Sequence, residues 1–230
     1  MPVTSGPTTT MPTAAPTGQS KRRARTHAAL LGAARELLVE RRESASIEEI
    51  TKRAGVGFGS FFNHFPGGKD ELFSEAVLDL LDRYAEWVDA ATADLTDPAE
   101  IFAASFRLTG RLALAQPHLL APLLARGTVV LTAERGLRTQ AMRDIRAGIA
   151  GGRFVDQDPE VLMMLAGGVL LSLVQVALTR GDAMPVATVD EVVAAALRML
   201  GVPPGEASKL VTRPLPDALP PTISVRGAGA

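Results

Sequence analysis

Apolar residues recur every three or four positions through most of the chain, which is the spacing of one face of an α-helix. The first such stripe lies between Ala24 and Arg42, and comparable stripes begin near residues 47, 58, 69, 98, 117, 128, 159 and 188. No run of alternating apolar and polar residues is long enough to indicate a strand. The pattern therefore predicts an all-α protein of about nine helices.

The two shortest predicted helices lie on either side of a glycine turn. Ser46 can cap the helix that starts at residue 47, and Glu49 can complete a capping box. Gly55 has the backbone freedom to end this helix, and the next helix runs from about residue 58 to 65, where Pro66-Gly67-Gly68 stops it. Two short helices joined by a tight turn predict a helix-turn-helix, whose second helix lies in the major groove of DNA.

The glycines of this turn allow a second interpretation, a loop that binds the phosphates of a nucleotide. A dinucleotide-binding fingerprint has the spacing G-x-G-x-x-G and directly follows a strand. Here Gly55, Gly57 and Gly59 give G-x-G-x-G, and the segment before them is a capped helix. The context therefore disfavours a nucleotide loop.

Charge is distributed unevenly along the chain, although the net charge is only −1. Residues 21–69 contain ten Lys and Arg against five Glu, a net charge of +5, which leaves −6 for the rest of the chain. A basic front on an acidic body is the arrangement expected when only the front contacts a polyanion. A solvated surface with chance asymmetry is the alternative.

Composition divides the chain into four segments. Residues 1–20 are rich in Pro, Thr, Ser and Gly, and residues 202–230 contain six prolines, so we expect a disordered arm and a disordered tail. Between them we predict a DNA-binding domain at residues 21–68 and a larger helical domain at residues 69–201. Basic residues that include Arg25 are expected in a flexible arm beside the first helix, where they either contact DNA or only aid solubility.

The most apolar segment of the chain is Val161–Leu178, in which Ser172 and Gln175 are the polar side chains. A membrane span needs about 20 apolar residues, and it usually has basic flanks that this segment lacks. We therefore expect a helix buried by protein, including a second copy of the chain, and no membrane partner. The helices near residues 159–179 and 188–200 are predicted to form the four-helix bundle of a homodimer.

Catalytic and metal-binding chemistry has little support in the sequence. The absence of cysteine excludes disulfides, thiolate metal sites and cysteine nucleophiles. His27, His64 and His118 are too dispersed to suggest metal-ligand spacing, and no serine stands in a G-x-S-x-G elbow. We expect neither an enzyme nor a protein that holds a metal or a cofactor.

Residues 24–89 resemble the N-terminal DNA-binding domain of TetR-type transcriptional regulators. The resemblance lies in AARELLVERR, then SIEEITKRAGVGFGSFFNHF, then KDELF, and it extends loosely to about residue 201. Phe62 replaces the family's usual tyrosine, and Gly57 stands where the family often has serine. The resemblance implies a cytoplasmic homodimeric repressor that is released from a palindromic DNA operator by a small, mainly apolar ligand.

The predicted DNA contacts surround the second short helix. Asn63 has an amide that can bridge N6 and N7 of adenine in the major groove. By resemblance His64 is a phosphate contact, with a surface or capping role as the alternative, whereas Phe58 and Phe62 either touch DNA or belong to the core. Lys69 begins a helix and is suited to hold a phosphate. The full predicted set is Arg25, Ser46, Gly57, Phe58, Gly59, Ser60, Phe62, Asn63, His64 and Lys69.

The same resemblance makes residues 69–201 the ligand-binding and dimerisation domain, with a small-molecule pocket among the helices between residues 98 and 150. Apolar walls with a few polar groups suit such a pocket. The candidate residues are Trp87, Phe102, Phe106, Arg107, Arg111 and His118, each of which has plain core or solvated surface as its alternative. For the whole chain, the alternative is a helical homodimeric ligand-binding or interaction protein without sequence-specific DNA binding.

Overall fold

The computed structural model describes residues 18–40, 42–117, 120–121, 124 and 137–216. These residues contain nine α-helices with both ends described, one short 3₁₀ helix and no strand, in agreement with the predicted all-α class. The α-helices are α1 (Gly18–Val39), α2 (Ile47–Ala54), α3 (Phe58–His64), α4 (Lys69–Ala91), α5 (Pro98–Ala115), α6 (Leu137–Ala150), α7 (Pro159–Arg180), α8 (Val186–Met199) and α9 (Pro204–Thr212).

Helices α1 to α3 and the first half of α4 form a small head with its own apolar core. The inner faces of these helices meet at side chains that are fully buried, namely Leu30, Leu37, Ile50, Phe61, Phe65 and Leu72. Ion pairs reinforce the packing at the edge of this core: Arg35 of α1 binds Asp79 of α4, and Arg53 of α2 binds Glu40 with 2.7 Å between Nη1 and Oε1. The head is therefore a compact platform that holds α3 in place.

The second half of α4 and helices α5 to α9 form a larger body around a second core. Gly110 of α5 allows a close approach in this core, because a Cβ atom there would lie 2.5 Å from Cγ1 of Val189 on α8. Helix α4 belongs to both units: Leu72 lies in the core of the head, whereas Tyr84 and Val88 lie in that of the body. One continuous helix thus connects the two.

The first helix begins earlier than its apolar stripe predicts. Helix α1 starts at Gly18 and ends at Val39, so Arg25 and the basic residues before it lie in a helix and not in the flexible arm that we expected. Gln, Lys, Arg and Ala all have high helix propensity, so the helix continues without an apolar face to bury. Residues 1–17, the rest of the expected disordered arm, lie outside the described residues.

The expectation of disorder from residue 202 is wrong for the first part of the tail. Helix α9 occupies Pro204–Thr212 and buries Ala207, Leu210 and Val211 against the body. Proline is well tolerated in the first turn of a helix, so Pro203 and Pro204, two of the prolines that suggested disorder, stand where a helix can start. Residues 217–230 lie outside the described residues.

Two expected helices are described only in part. The helix expected at residues 128–149 corresponds at its C-terminal end to α6, while most of residues 117–136 lies outside the described residues.

Helix α7, continued by the 3₁₀ turn to Ala183, is long and apolar enough to cross a membrane by length and composition. In its most apolar 18-residue stretch, 44% is buried inside the protein. Core helices of soluble proteins share these properties.

Candidate functional site

The turn between α2 and α3 has the geometry that its sequence predicts. The Oγ atom of Ser46 accepts a hydrogen bond from the backbone N–H of Glu49 at 3.1 Å, which caps α2. The carboxylate of Glu49 binds Arg42 at 2.7 Å and so serves an ion pair instead of the reverse half of the capping box. Gly55 ends α2 with φ +66°, a left-handed conformation that glycine adopts without strain.

Helix α3 divides its side chains between the core and the solvent. Phe61 and Phe65 are fully buried, so they anchor the helix. Phe58 is 56% exposed and Phe62 46% exposed, which decides the open question of whether these two rings belong to the core. The remaining predicted residues are also accessible: Gly57, Gly59 and Asn63 are exposed, and Ser60 and His64 are half-buried.

The start of α1 lies beside the outer side of α3 and adds to this surface. A shallow depression lies between the two helices. Its lining residues follow one another at about one helical turn along α1 and are joined by three residues of α3, namely Gln19, Arg22, Arg23, Thr26, Ser60, Asn63 and His64. Arg25 is exposed but does not line the depression, so its neighbours Arg22 and Arg23 are the better candidates for contact with a ligand here. Both belong to the basic residues that the sequence placed with Arg25 beside the first helix, and the helix determines which of them face α3.

His64 joins α3 to the side of α1 through aromatic contacts. The rings of His27 and His64 lie 5.7 Å apart, and His27 stacks on Phe65 at 4.9 Å. On its other side, Nε2 of His27 approaches Oε1 of Glu75 at 3.4 Å. Burial, with the nearby His27 and Arg23, lowers the pKa of His64 below its ordinary value of 6.5.

Two of the predicted phosphate-binding features have local partners. The ammonium group of Lys69 donates to the backbone oxygen of Ala45 at 3.0 Å, which ties the start of α4 to the residue before Ser46. Glu71 accepts from the backbone N–H of Gly67 at 2.7 Å, so a carboxylate of the chain already stands at the N-terminus of α4. Lys69 retains two further N–H donors, whereas the helix terminus is a weaker anion site than we expected.

A separate cavity of about 80 Å³ lies between α4, α5, α6 and α7. Phe102 and Phe106, two of the candidate pocket residues, line it, with their rings stacked 4.0 Å apart. Ser105 and Thr109 belong to the same wall and were not predicted, although the hydroxyl group of Thr109 already donates to the backbone oxygen of Ser105 and pairs with that of Tyr84. They follow the two aromatic residues at helical spacing, which is the signal that would have identified them.

Polar side chains from α4 and α6 close one end of the cavity. Asp89 accepts a hydrogen bond from Gln140 at 2.7 Å and another from Arg143 at 2.9 Å. Asp144 lines the cavity beside them, and burial raises the pKa of its carboxyl group. Its Oδ1 atom also accepts a hydrogen bond from Nε of Arg143 at 2.9 Å, so one oxygen of this carboxyl group already has a partner.

Several predicted pocket residues lie elsewhere. Arg107 and Arg111 face α8, where both bind Asp190. Arg107 is buried, and a buried guanidinium needs a carboxylate partner. Trp87 does not line this cavity; it packs against Tyr84 with the ring centroids 5.5 Å apart. His118 lies outside the described residues.

An apolar face of α7 and α8 is open to solvent in the single chain. Met164 is 65% exposed, and Leu165, Gly168, Ser172 and Val176 continue the same face at helical spacing. With Val169, Leu173, Met184, Thr188 and Val192 they line a shallow groove. Apart from the backbone of α7 itself, nothing lies within 4 Å of the position that a Cβ would occupy on Gly168, so this part of α7 is open to another backbone.

Comparison with known protein families agrees with both halves of this architecture. Residues 30–76 match the bacterial regulatory proteins of the tetR family, and residues 97–213 match the Tetracyclin repressor-like C-terminal domain. The chain belongs to the TetR family. It is accordingly a transcriptional regulator whose N-terminal helix-turn-helix binds DNA, in a family whose members dimerise and bind small molecules in the C-terminal domain.

Individual relatives extend the likeness over most of the TetR fold. The HTH-type transcriptional regulator LmrA of Bacillus subtilis (strain 168) is 26% identical over 145 residues, which span 55% of this chain and 74% of LmrA. The crystal structure of RolR in complex with resorcinol is 31% identical, covers 87% of this chain and 100% of RolR, and has a TM-score of 0.74. RolR without ligand gives 31% identity, 84% and 100% coverage, and a TM-score of 0.70.

Proposed function

We propose that this TetR family protein is a homodimeric repressor that binds a near-palindromic operator and leaves it when a small ligand fills the cavity. The observation that supports this best is the outer face of α3, where Asn63 is exposed beside two accessible arginines of α1. An amide suited to base edges, flanked by cations suited to phosphates, is the combination that sequence-specific binding to DNA requires.

The apolar face of α7 and α8 supports the homodimer. A single helix-turn-helix contacts too little DNA for useful selectivity, so two heads related by two-fold symmetry are needed to read the two half-sites. Large side chains such as Met164 and Val176 stand in solvent on this face, and burial between two copies would remove them from water. We propose that two copies pack these helices into a four-helix bundle.

The effector proposed for the cavity is a small compound with an apolar ring and hydroxyl groups. The Phe102–Phe106 stack offers an aromatic wall, and Ser105 and Asp144 offer hydrogen-bonding groups. Resorcinol, which RolR binds, has this chemistry and is the first compound to test. The resemblance implied a mainly apolar ligand. The effector proposed here is more polar, because a ring with two hydroxyl groups has polar ends.

Helix α4 provides a route from the cavity to DNA. Val88 and Asp89 near its end line the cavity, and Lys69 at its start binds the residue before the capping Ser46. A helix of this length spans about 34 Å. A ligand that displaces the end of α4 would therefore move the two heads relative to each other, which changes the spacing of the recognition helices.

The proposed domain boundaries differ from those predicted from the sequence at the C-terminal end of the second domain. We propose that residues 21–68 bind DNA and that the ligand-binding and dimerisation domain, predicted at residues 69–201, continues through α9 to residue 212. Such a regulator acts in the cytoplasm, where the operator is, and has no catalytic role.

The proposal is tested by recovering operator fragments from genomic DNA with the purified protein and then titrating resorcinol into the complex. Release of the fragment, together with a rise in melting temperature, is the expected result. Ala141→Leu should fill the cavity and abolish the response to resorcinol, whereas Ala147→Leu on the exposed side of α6 should preserve it. Failure to recover any specific fragment would favour a ligand-binding protein without sequence-specific DNA binding.

A further inference from the structure

The two exposed phenylalanines of α3 form a pair. Phe58 and Phe62 stand four residues apart on the same side of the helix, with their rings edge to face and 6.2 Å between centroids. In the described part of the chain, these two are the large apolar side chains that the head exposes, and the other exposed ones lie in the body. Keeping two aromatic rings in water is unfavourable, so a partner that covers them is expected.

The backbone around the pair is open to a close approach. Gly57 precedes Phe58 and Gly59 follows it, so neither neighbour has a side chain that would hold a partner away from the ring. A Cβ at Gly59 would meet nothing within 4 Å. Buried Phe61 contacts Phe62 from behind at 5.3 Å, which holds that ring at the outer side of the helix.

Charge around the pair favours DNA over an apolar protein surface as the partner. Asn63, next to Phe62, shares its depression with Arg22 and Arg23, which are exposed. Cations beside the rings would be left without counter-charges against an apolar protein, whereas phosphates of a duplex would pair with them. The occupant of this face is therefore a nucleic acid with its phosphates toward α1.

Within the major groove, the chemistry of a phenyl ring selects one group. Every base edge there presents hydrogen-bond donors or acceptors, and thymine adds the C5-methyl group, which is apolar. A phenyl ring has no donor and no acceptor, so a polar base edge against it would lose its hydrogen bonds with water. The methyl group of thymine is the natural contact for such a ring.

We propose that Phe58 and Phe62 read thymine methyl groups in each half-site of the operator, and are thus determinants of sequence specificity. The inference rests on the proposed function, because it requires that α3 enters the major groove. It also gives Phe62 a role of its own: a tyrosine at this position offers a hydroxyl group to DNA, whereas phenylalanine offers only an apolar ring.

The test uses synthetic operator duplexes in which thymines are replaced by uracil, a change that removes only the C5-methyl group. Affinity of the wild-type dimer should fall about four-fold for each methyl group that contacts a ring, and about sixteen-fold when one such thymine position is changed in both half-sites. Phe58→Ala and Phe62→Ala should bind the normal operator more weakly and should lose the sensitivity to uracil at the position that each ring reads. Both rings are exposed, so circular dichroism of the variants should match the wild type.

Val155→Ala is the matched control, because Val155 is an exposed apolar residue in the body, 45% accessible, and its removal should leave DNA binding unchanged. The proposal is overturned if no uracil substitution weakens binding of the wild type. It is equally overturned if the alanine variants keep the full sensitivity, since another group then reads the methyl. Absence of binding to any operator would instead contradict the proposed function, so the two failures are distinguishable.

Discussion

Arg107 on α5 donates a hydrogen bond from Nε to Oδ1 of Asp190 on α8 at 2.7 Å, with only 6% of the arginine side chain exposed. The same guanidinium donates from Nη1 to the backbone oxygen of Arg213 at 2.8 Å, just after α9. One buried cation therefore holds together three parts of the body. This residue was expected in the ligand pocket, and its contacts give it a structural role instead.

Replacement of Asp190 by alanine should strongly destabilise the body. The substitution leaves a buried guanidinium without its carboxylate, and breaking a buried pair in this way costs about 3 kcal/mol. Chemical denaturation at a fixed protein concentration measures the free energy of unfolding. Glu191→Ala, at the exposed neighbouring position, should change it by less than about 0.5 kcal/mol. Equal effects of the two substitutions would show that the ion pair contributes little.

Gly168→Leu should weaken the dimer without harming the fold of the protomer. A Cβ there meets nothing within 4 Å in the single chain, so only a partner helix would collide with the new side chain. Overpacking of this kind should raise the dimer dissociation constant by about tenfold, as measured by sedimentation equilibrium. Gly205→Leu on α9 also meets nothing within 4 Å and should leave the dimer intact. An unchanged dimer in Gly168→Leu would place the interface elsewhere.

Arg23→Ala and Asn63→Ala should alter DNA binding in different ways. Loss of one phosphate contact per half-site weakens binding to all sequences and reduces the salt slope of the dimer by about 2. Loss of the Asn63 amide should lower the preference for the operator over random DNA by about tenfold, with the salt slope retained. Fluorescence anisotropy titrations at several salt concentrations separate the two effects. A similar response from both variants would contradict the division of roles.

His64 should make the stability of the head depend on pH. Burial and the neighbouring His27 and Arg23 lower the pKa of His64 below 6.5 in the folded protein. Between this lowered pKa and the ordinary value of 6.5, the unfolded chain binds the proton more readily than the folded protein does. This contribution to stability is present above pH 6.5 and is lost as the pH falls below that value.

Melting temperatures at pH 7.5, 6.5 and 5.5 measure the effect. His64→Gln should show a smaller fall toward pH 5.5 than the wild type. Asn63→Ala, which changes the adjacent exposed position, should keep the wild-type pH dependence. If His64→Gln falls as steeply as the wild type, another group causes the loss.

Much of the head could be read from local sequence. The cap at Ser46, the left-handed turn at Gly55 and the helix starts at Phe58 and Lys69 all appear where the sequence predicts them. Caps and turns depend on residues within about four positions of each other, so a linear pattern contains the information. The match to the TetR family over residues 30–76 reflects the same local signals.

The surface of α3 was less predictable. Phe58, Phe61, Phe62 and Phe65 are chemically alike, and the sequence left open whether Phe58 and Phe62 belong to the core. The structure buries Phe61 and Phe65 and exposes the other two, because α1, α2 and α4 together determine which side of the short helix meets the core. Helix α1 also begins farther upstream than its apolar stripe, which brings Arg22 to the same surface.

By itself, the sequence determined the helical class, the helix-turn-helix and the most apolar helix, because periodicity and capping act over a few residues. The tertiary structure alone decided the partners of the buried charges and the composition of the cavity. Arg107 and Asp190 are 83 residues apart, and the cavity combines side chains from four helices. Such contacts form only when distant segments pack, since a charge that leaves water must find its counter-charge wherever the fold brings one.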